Sequence, residues 1–202
     1  MNNSEAELSG YKIRGLLYGA VCGWLIETYG FERFEDFLET LPPPLKERIT
    51  KLEKNKFHPS DTKEWYPAHE VYPLYEQVAD YLKSEMNEKQ IIDELVNYMF
   101  KQSVSGFMKG LLSFLTPAAL IRRSSTFWRR VHSSGEVTIK EKGKNLLSIS
   151  LYDWKTHRIS CMIFENWTRR LIELTGRTVV QMTKTHCCLE GDEACTWDVE
   201  FR

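Results

Sequence analysis

The chain has 202 residues, a hydrophobic fraction of 42% and a net charge of -1. This length is enough to bury a hydrophobic core without disulfides or metals. The near-zero charge gives no overall attraction to nucleic acid or to an anionic membrane, so we expect no nucleic-acid partner. No apolar run reaches the roughly 20 residues of a membrane span, and the N-terminus lacks the basic start of a signal peptide, so we expect a cytoplasmic protein.

The first two thirds of the sequence predict helices. Apolar residues at helical spacing indicate a helix over 13–26 that Gly30 caps, followed by helices over 31–41, 45–52, 68–82 and 88–100. Thr116 and Pro117 form an N-cap followed by proline at the first helical position, which predicts a helix that continues to His132. The polar stretch 53–67 is expected to be an irregular surface connection.

At Gly135 the spacing of apolar residues changes from helical to alternating. The segment 137–151 predicts a β-hairpin, 160–174 predicts a helix, and 177–202 predicts a second hairpin. The sequence therefore predicts a single α+β domain over 1–202. Its helical part, 1–133, would pack with a four-stranded antiparallel sheet of order ββ-α-ββ, 134–202, that is crossed by one helix.

The closing hairpin carries most of the cysteines. The pattern C-x3-G-D-x2-C runs from Cys187 to Cys195, and Gly191 can supply the positive φ that a tight turn demands. A two-residue turn at Gly191-Asp192 would place Cys188 opposite Cys195. Pairing Cys187 with Cys195 instead needs a bulge or a longer loop. The sequence leaves these two registers open.

Five segments carry a family resemblance: L-P-P-P-L-K-E-R-I (41–49), E-W-Y-P-A-H-E-V-Y (64–72), F-W-R-R-V-H (127–132), C-M-I-F-E-N-W (161–167) and the terminal C-x3-G-D-x2-C-x-W. Together they resemble a free-standing bacterial family of unknown function, first noted in myxobacteria. That family is similar to the 4-vinyl reductase-like domain, the haem nitric-oxide-binding domain and subunits of the transport protein particle that tethers vesicles. The resemblance implies a shared fold and usually a dimer. It implies no single function, since these relatives bind haem, aromatic effectors, acyl chains or other proteins.

The resemblance also sets expectations about haem. The haem-binding branch typically holds the haem propionates with a Y-x-S-x-R motif and supplies a proximal histidine from a helix. The sequence contains no Y-x-S-x-R, and none of its histidines comes with that motif: His58, His69, His132, His157 and His186. Haem binding is therefore not expected from the sequence.

Zinc is a second cofactor that the resemblance suggests. Phenol-sensing regulators with a vinyl-reductase-like domain bind zinc through three cysteines on the same elements. This likeness makes Cys161, Cys187 and Cys195 candidate zinc ligands, with His186 as a candidate fourth ligand. The alternative is that these cysteines are small buried hydrophobic residues.

The sequence does not predict an enzyme. It contains no G-x-S-x-G, H-E-x-x-H, Walker or Rossmann motif. His186 and Cys187 are adjacent on a predicted strand and so point to opposite faces, which is poor geometry for activating a thiol. The arginine pairs at 122–123 and 129–130 are expected to form the solvated face of their helix.

We therefore expect a non-catalytic small-molecule-binding, sensor-like or scaffold module that acts through an unidentified protein partner. The alternatives are a purely structural interaction subunit and a zinc-containing sensor of aromatic effectors. A hydrophobic or aromatic ligand would lie between the sheet and the covering helices, with candidate lining residues Trp128, His132, Tyr152, Trp167 and Trp197. A homodimer is expected to form through the N-terminal helices, where Tyr18 and Trp24 are candidate interface aromatics.

Overall fold

A computed structural model describes residues 10–54, 63–104 and 115–202. Within these ranges the chain forms seven α-helices and six strands, which confirms the predicted α+β fold class. It divides into two compact units, Met1–Met99 and Phe100–Arg202. That all 202 residues act as one domain stays a prediction. None of the described helices has both the length and the apolar character needed to cross a bilayer.

The first unit is built mainly from helices. These are α1 (Leu16–Tyr29), α2 (Phe31–Thr40), α3 (Pro43–Lys54), α4 (Ala68–Tyr81) and most of α5 (Glu88–Ser103). Gly30 ends α1 with a φ of 88°, and its N–H donates to the carbonyl of Ile26 over 3.0 Å. Helix α3 begins two residues before the predicted start because proline is tolerated in a first turn, where its missing N–H costs nothing.

A small sheet in the first unit was not predicted. Strand β1 (Lys12–Arg14) pairs antiparallel with β2 (Trp65–Pro67), so the stretch 53–67 is not wholly irregular; residues 55–62 lie outside the described ranges. Three-residue strands are too short for alternation to be visible in a sequence. The ring of Tyr66 on β2 packs edge-on against that of Tyr18 on α1, with centroids 5.2 Å apart.

The second unit contains the predicted four-stranded sheet. Its elements are α6 (Pro117–Val131), β3 (Glu136–Gly143), β4 (Leu146–Tyr152), α7 (Arg158–Glu173), β5 (Val179–His186) and β6 (Ala194–Phe201). The strand order is β3-β4-β6-β5, and all neighbours are antiparallel. The ββ-α-ββ arrangement is therefore confirmed. The predicted N-cap is also present, since the Thr116 hydroxyl accepts from the Ala119 N–H over 3.2 Å.

Helix α7 packs on the sheet through alternating apolar positions of β6. Cys195, Trp197, Val199 and Phe201 are buried on one face of that strand, as a period of two requires. The ring of Phe164 on α7 lies 4.8 Å from that of Trp197. Burying a large apolar side chain stabilises a fold by about 1.5–3 kcal/mol, so this face accounts for much of the unit's core.

The connection between β5 and β6 is longer than a two-residue turn. His186 pairs with Thr196, and the register shifts between Lys184 and His186. The chain then passes through a 3-10 turn (Cys188–Glu190) to Gly191, whose φ is 105°. The two-residue turn is therefore wrong, and the alternative with a bulge and a longer loop is found. The positive φ of Gly191 is confirmed.

Replacing Gly191 with valine should destabilise the protein more than replacing the neighbouring Glu190 with alanine. A Cβ at Gly191 would meet no atom within 4 Å, so the cost comes from backbone strain alone. For a β-branched residue in this conformation we expect the free energy of unfolding to fall by about 1–2 kcal/mol. Urea unfolding of both variants measures the difference. Equal midpoints would contradict the left-handed conformation of Gly191.

Candidate functional site

Three of the five predicted pocket residues belong to one group of rings in the second unit. We call this group the aromatic cluster: Trp128, His132, Trp154, Phe164 and Trp197. The rings of Trp128 and His132 stack with centroids 3.6 Å apart and an interplanar angle of 11°. Trp154 meets both of these rings edge-on, at 5.4 Å and 4.8 Å. Phe164 meets Trp128 edge-on at 5.7 Å and joins Trp197 to the cluster.

The loop after α6 positions the Trp128 ring. Its indole N–H donates to the carbonyl of Ser134 over 2.8 Å. Gly135 follows with a φ of 95°, and a Cβ there would lie only 2.5 Å from the indole nitrogen. Only glycine therefore lets the chain pass this close to the ring. The sequence signal for this contact was Gly135 itself, which marks the end of the helical spacing.

His132 is held as a neutral imidazole. Its Nδ1 lies 3.2 Å from the carbonyl oxygen of Trp128, which can only accept a hydrogen bond. Nδ1 must therefore carry the proton, and Nε2 carries the lone pair. Burial lowers the pKa of His132 to about 3, because a charged imidazolium would lose its hydration among the surrounding rings.

Of the other three predicted pocket residues, Trp197 lies in the aromatic cluster, whereas Trp167 and Tyr152 do not. Trp197 is 0% exposed, and its indole N–H has no hydrogen-bond acceptor among the described residues. Trp167 packs instead on Phe100, with ring centroids 5.0 Å apart, in a separate apolar group with Leu120 and Leu171. Tyr152 is half-buried at the end of β4, opposite Ala194. Sequence reasoning missed Trp154 and Phe164, which lie between the residues that it selected.

Four cysteines form a second cluster beside the aromatic one. The sulfur atoms of Cys161, Cys187 and Cys195 lie within 4.8 Å of one another. Cys195 Sγ is 3.6 Å from Cys161 Sγ and 3.2 Å from Cys188 Sγ. The bulged register thus brings both Cys187 and Cys188 close to Cys195. We call Cys161, Cys187, Cys188 and Cys195 the thiol cluster.

Lys184 supplies the charge next to the thiol cluster. Its Nζ lies 2.8 Å from Cys187 Sγ. Burial acts to lower the pKa of Lys184, but its hydrogen bonds with Cys187 and Cys161 outweigh burial and raise it. Hydrogen bonds from the thiols of Cys161 and Cys188 lower the pKa of Cys195. The predicted fourth ligand, His186, is exposed, and its Nδ1 lies 3.1 Å from the hydroxyl of Thr185.

The predicted pocket residues do not line the groove that opens on the first unit. This groove has a volume of about 820 Å³. It is bordered by residues near the end of α2 and along α3: Glu39, Leu41, Pro43, Lys46, Glu47, Thr50, Lys51 and Lys54. The mixed charges and an ion pair between Glu39 and Lys46 are those of a solvated surface.

Comparison with known proteins shows the fold. No protein-family model matches the chain, and no curated protein matches it significantly. Among solved structures, an H-NOX protein from S. oneidensis in the Fe(II)NO ligation state is similar, with a TM-score of 0.64 and 13% identity over 94% of this chain and 99% of that one. An Fe(II) unliganded H-NOX protein from K. algicida has a TM-score of 0.64 and 8% identity over 94% of this chain and 97% of that one.

These likenesses confirm that the fold resembles that of the haem nitric-oxide-binding domain. The narrower resemblance to the myxobacterial family stays a prediction. The finding also corrects one expectation, because haem was judged unlikely from the missing Y-x-S-x-R motif. The similar structures are H-NOX proteins, the haem nitric-oxide-binding branch, in Fe(II), Fe(II)NO and Fe(II)CO states. That expectation is therefore wrong, and zinc gains no support from the comparison.

Acid should destabilise the protein through His132. The pKa of this residue is about 3 in the folded state against an ordinary value of 6.5, so the unfolded chain takes up the proton first. Stability is therefore lost as the pH falls from 6.5 towards 3. In this window we expect the free energy of unfolding to fall by up to about 1.4 kcal/mol for each pH unit. Urea unfolding between pH 7 and pH 4 should show a steeper loss in the wild type than in His132→Phe. Identical slopes would contradict the assignment of a neutral imidazole in the folded state.

Proposed function

We propose that this chain is a sensor domain that binds haem and acts through a protein partner. The observation that supports this most is the H-NOX fold, which extends over 94% of the chain. The similar structures include Fe(II) forms with nitric oxide, with carbon monoxide and without a ligand. With only 8–14% identity to them, the support comes from the architecture rather than from shared motifs.

The second unit contains a histidine whose ring nitrogen could bind the iron of haem. Among the described histidines, His132 has a neutral ring whose Nδ1 proton is engaged by a backbone carbonyl. Histidines that bind metals commonly donate their other ring N–H to such a carbonyl, which fixes the tautomer and orients the free nitrogen. His132 Nε2 is therefore the atom that we propose as iron ligand. His69 and His186, by contrast, are exposed.

The surroundings of His132 are aromatic, so a flat ligand would bind beside it where these contacting rings move apart. Trp128 and Trp154 contact its ring from two directions, and apolar aromatic walls of this kind line most small-molecule sites. The indole N–H of Trp197 offers a buried donor, and a buried polar group without a partner calls for a ligand or a water. When bound, haem would supply an iron that takes diatomic gases. The protein would hold it, exclude water and respond to its occupancy.

The remaining functional expectations stand as part of this proposal. The chain would act in the cytoplasm without catalysing a reaction, and would pair with a second copy. Tyr18 and Trp24 are buried within the chain, so they cannot form the dimer interface that the sequence suggested. Leu16 on α1 and Phe31 on α2 are exposed at 37% and 47% and are better candidates.

A second function, that of a structural interaction subunit, is favoured by one observation. The rings of the aromatic cluster contact one another directly rather than surround an open space. A filled core of this kind needs no ligand. The two functions differ in whether haem binds at all.

Adding haem to the purified, haem-free protein should give a saturable Soret band at one equivalent. Replacing His132 with phenylalanine keeps a ring to stack on Trp128 but removes the nitrogen. We therefore expect His132→Phe to shift the Soret band and to weaken haem binding at least about tenfold, which corresponds to about 1.4 kcal/mol. Absorption titration of Fe(II) and Fe(III) forms, with and without carbon monoxide, measures both effects.

His186→Phe is the matched control, because His186 is exposed on β5 and should leave the titration unchanged. Circular dichroism of all three proteins shows whether each is folded. Haem uptake that is equal in the wild type and in His132→Phe would contradict the proposed ligand. No haem uptake by the folded wild type would contradict haem sensing and favour the structural subunit.

A further inference from the structure

We infer that the thiol cluster is an oxidation site in which Cys195 forms a disulfide with either Cys161 or Cys188. Cys195 Sγ lies 3.6 Å from Cys161 Sγ and 3.2 Å from Cys188 Sγ. A disulfide has an S–S length of about 2.05 Å, so each pair must close by only about 1.2–1.5 Å. Rotation of short side chains covers this distance. This inference goes beyond the proposed function and does not depend on haem.

The backbone places Cys195 between its two partners. Cys195 points from β6 towards α7, where Cys161 lies in the first turn. Cys188 begins the 3-10 turn that leads back to β6, and its backbone N–H lies 3.4 Å from Cys195 Sγ. One sulfur can bond only one other sulfur at a time. The two disulfides are therefore alternatives, one joining helix to sheet and the other closing the turn.

Cys187 differs from the other three cysteines of the cluster in its hydrogen-bond partner. Its sulfur lies within 4.8 Å of the sulfurs of Cys161 and Cys195, but it contacts Lys184 Nζ at 2.8 Å. A disulfide with the adjacent Cys188 would also require a strained ring. The structure therefore distinguishes Cys187 from the other three cysteines, which a count of cysteines cannot do.

The oxidant that suits this site is a small hydroperoxide. Cys161 and Cys188 are 8% and 7% exposed, and Cys195 is 1% exposed, so only a molecule close to water in size can reach them. The turn that follows Cys188 is exposed at Leu189, Glu190 and Gly191. Local opening of such a turn costs less than global unfolding and gives access.

Disulfide formation at this site needs only the hydroperoxide, without a metal or a cofactor. One thiol takes an oxygen atom from the hydroperoxide and becomes a sulfenic acid, while the hydroperoxide becomes an alcohol, or water in the case of hydrogen peroxide. The second thiol then attacks that sulfur. The S–S bond forms, the S–O and S–H bonds break, and the oxygen leaves as water. Within either pair, the same disulfide forms whichever of the two sulfurs reacts first.

The inference is tested with reduced full-length protein that is treated with hydrogen peroxide in the presence of a chelator and then alkylated. The wild type has five free cysteines, and we expect two fewer alkylated thiols after oxidation. Proteolysis after Glu190 separates Cys188 from Cys195, so mass spectrometry can assign the bond. Cys195→Ser should form no disulfide in the cluster. Cys188→Ser should form only Cys161–Cys195, and Cys161→Ser only Cys188–Cys195.

Cys22→Ser is the matched control, because Cys22 is a buried cysteine of the first unit and should leave the reaction unchanged. If Cys195→Ser fails to fold, the double variant Cys161→Ser/Cys188→Ser keeps Cys195 and should likewise form no disulfide. Five alkylatable thiols after peroxide treatment of the folded wild type would overturn the inference. A disulfide that includes Cys187 or Cys22 instead of Cys195 would overturn it as well.

Discussion

The packing of α7 across β6 is the contact on which the rest of the second unit depends. Cys161 and Phe164 are three residues apart on α7 and so share a helix face, while Cys195 and Trp197 are two apart on β6 and share a strand face. Phe164 meets Trp197, and Cys161 meets Cys195. One helix–sheet contact therefore holds both the aromatic cluster and the thiol cluster.

This shared contact gives the two clusters a physical connection. The thiol of Cys188 lies 3.5 Å from the backbone carbonyl of Trp154, whose ring contacts His132. A ligand that moves α7 or the Trp154 loop would also change the distances between sulfurs. Conversely, a bond between Cys161 and Cys195 would fix α7 on the sheet. The proposed ligand and the proposed oxidant would therefore act on the same elements.

Helices and hairpins with clear spacing could be predicted from the sequence, but their exact contacts could not. Thr116-Pro117 marked the start of α6, and the change of spacing at Gly135 marked the start of the sheet. The bulge near His186 could not be predicted, because alternation allows either register. Trp154 follows β4 in a loop without periodicity, so its place between Trp128 and His132 depends on tertiary packing. The missing Y-x-S-x-R motif gave no indication of this fold, because a fold can persist after its motifs have changed.

We propose that this chain, whose fold is similar to that of H-NOX proteins, binds haem in the cell. Native mass spectrometry of the protein, purified from cells supplied with a haem precursor, tests it most directly because it reports bound mass and oligomeric state together. We expect one haem per chain, retained through purification of a folded protein. Folded protein that carries only the mass of the bare chain, from cells that load other haem proteins, would contradict it.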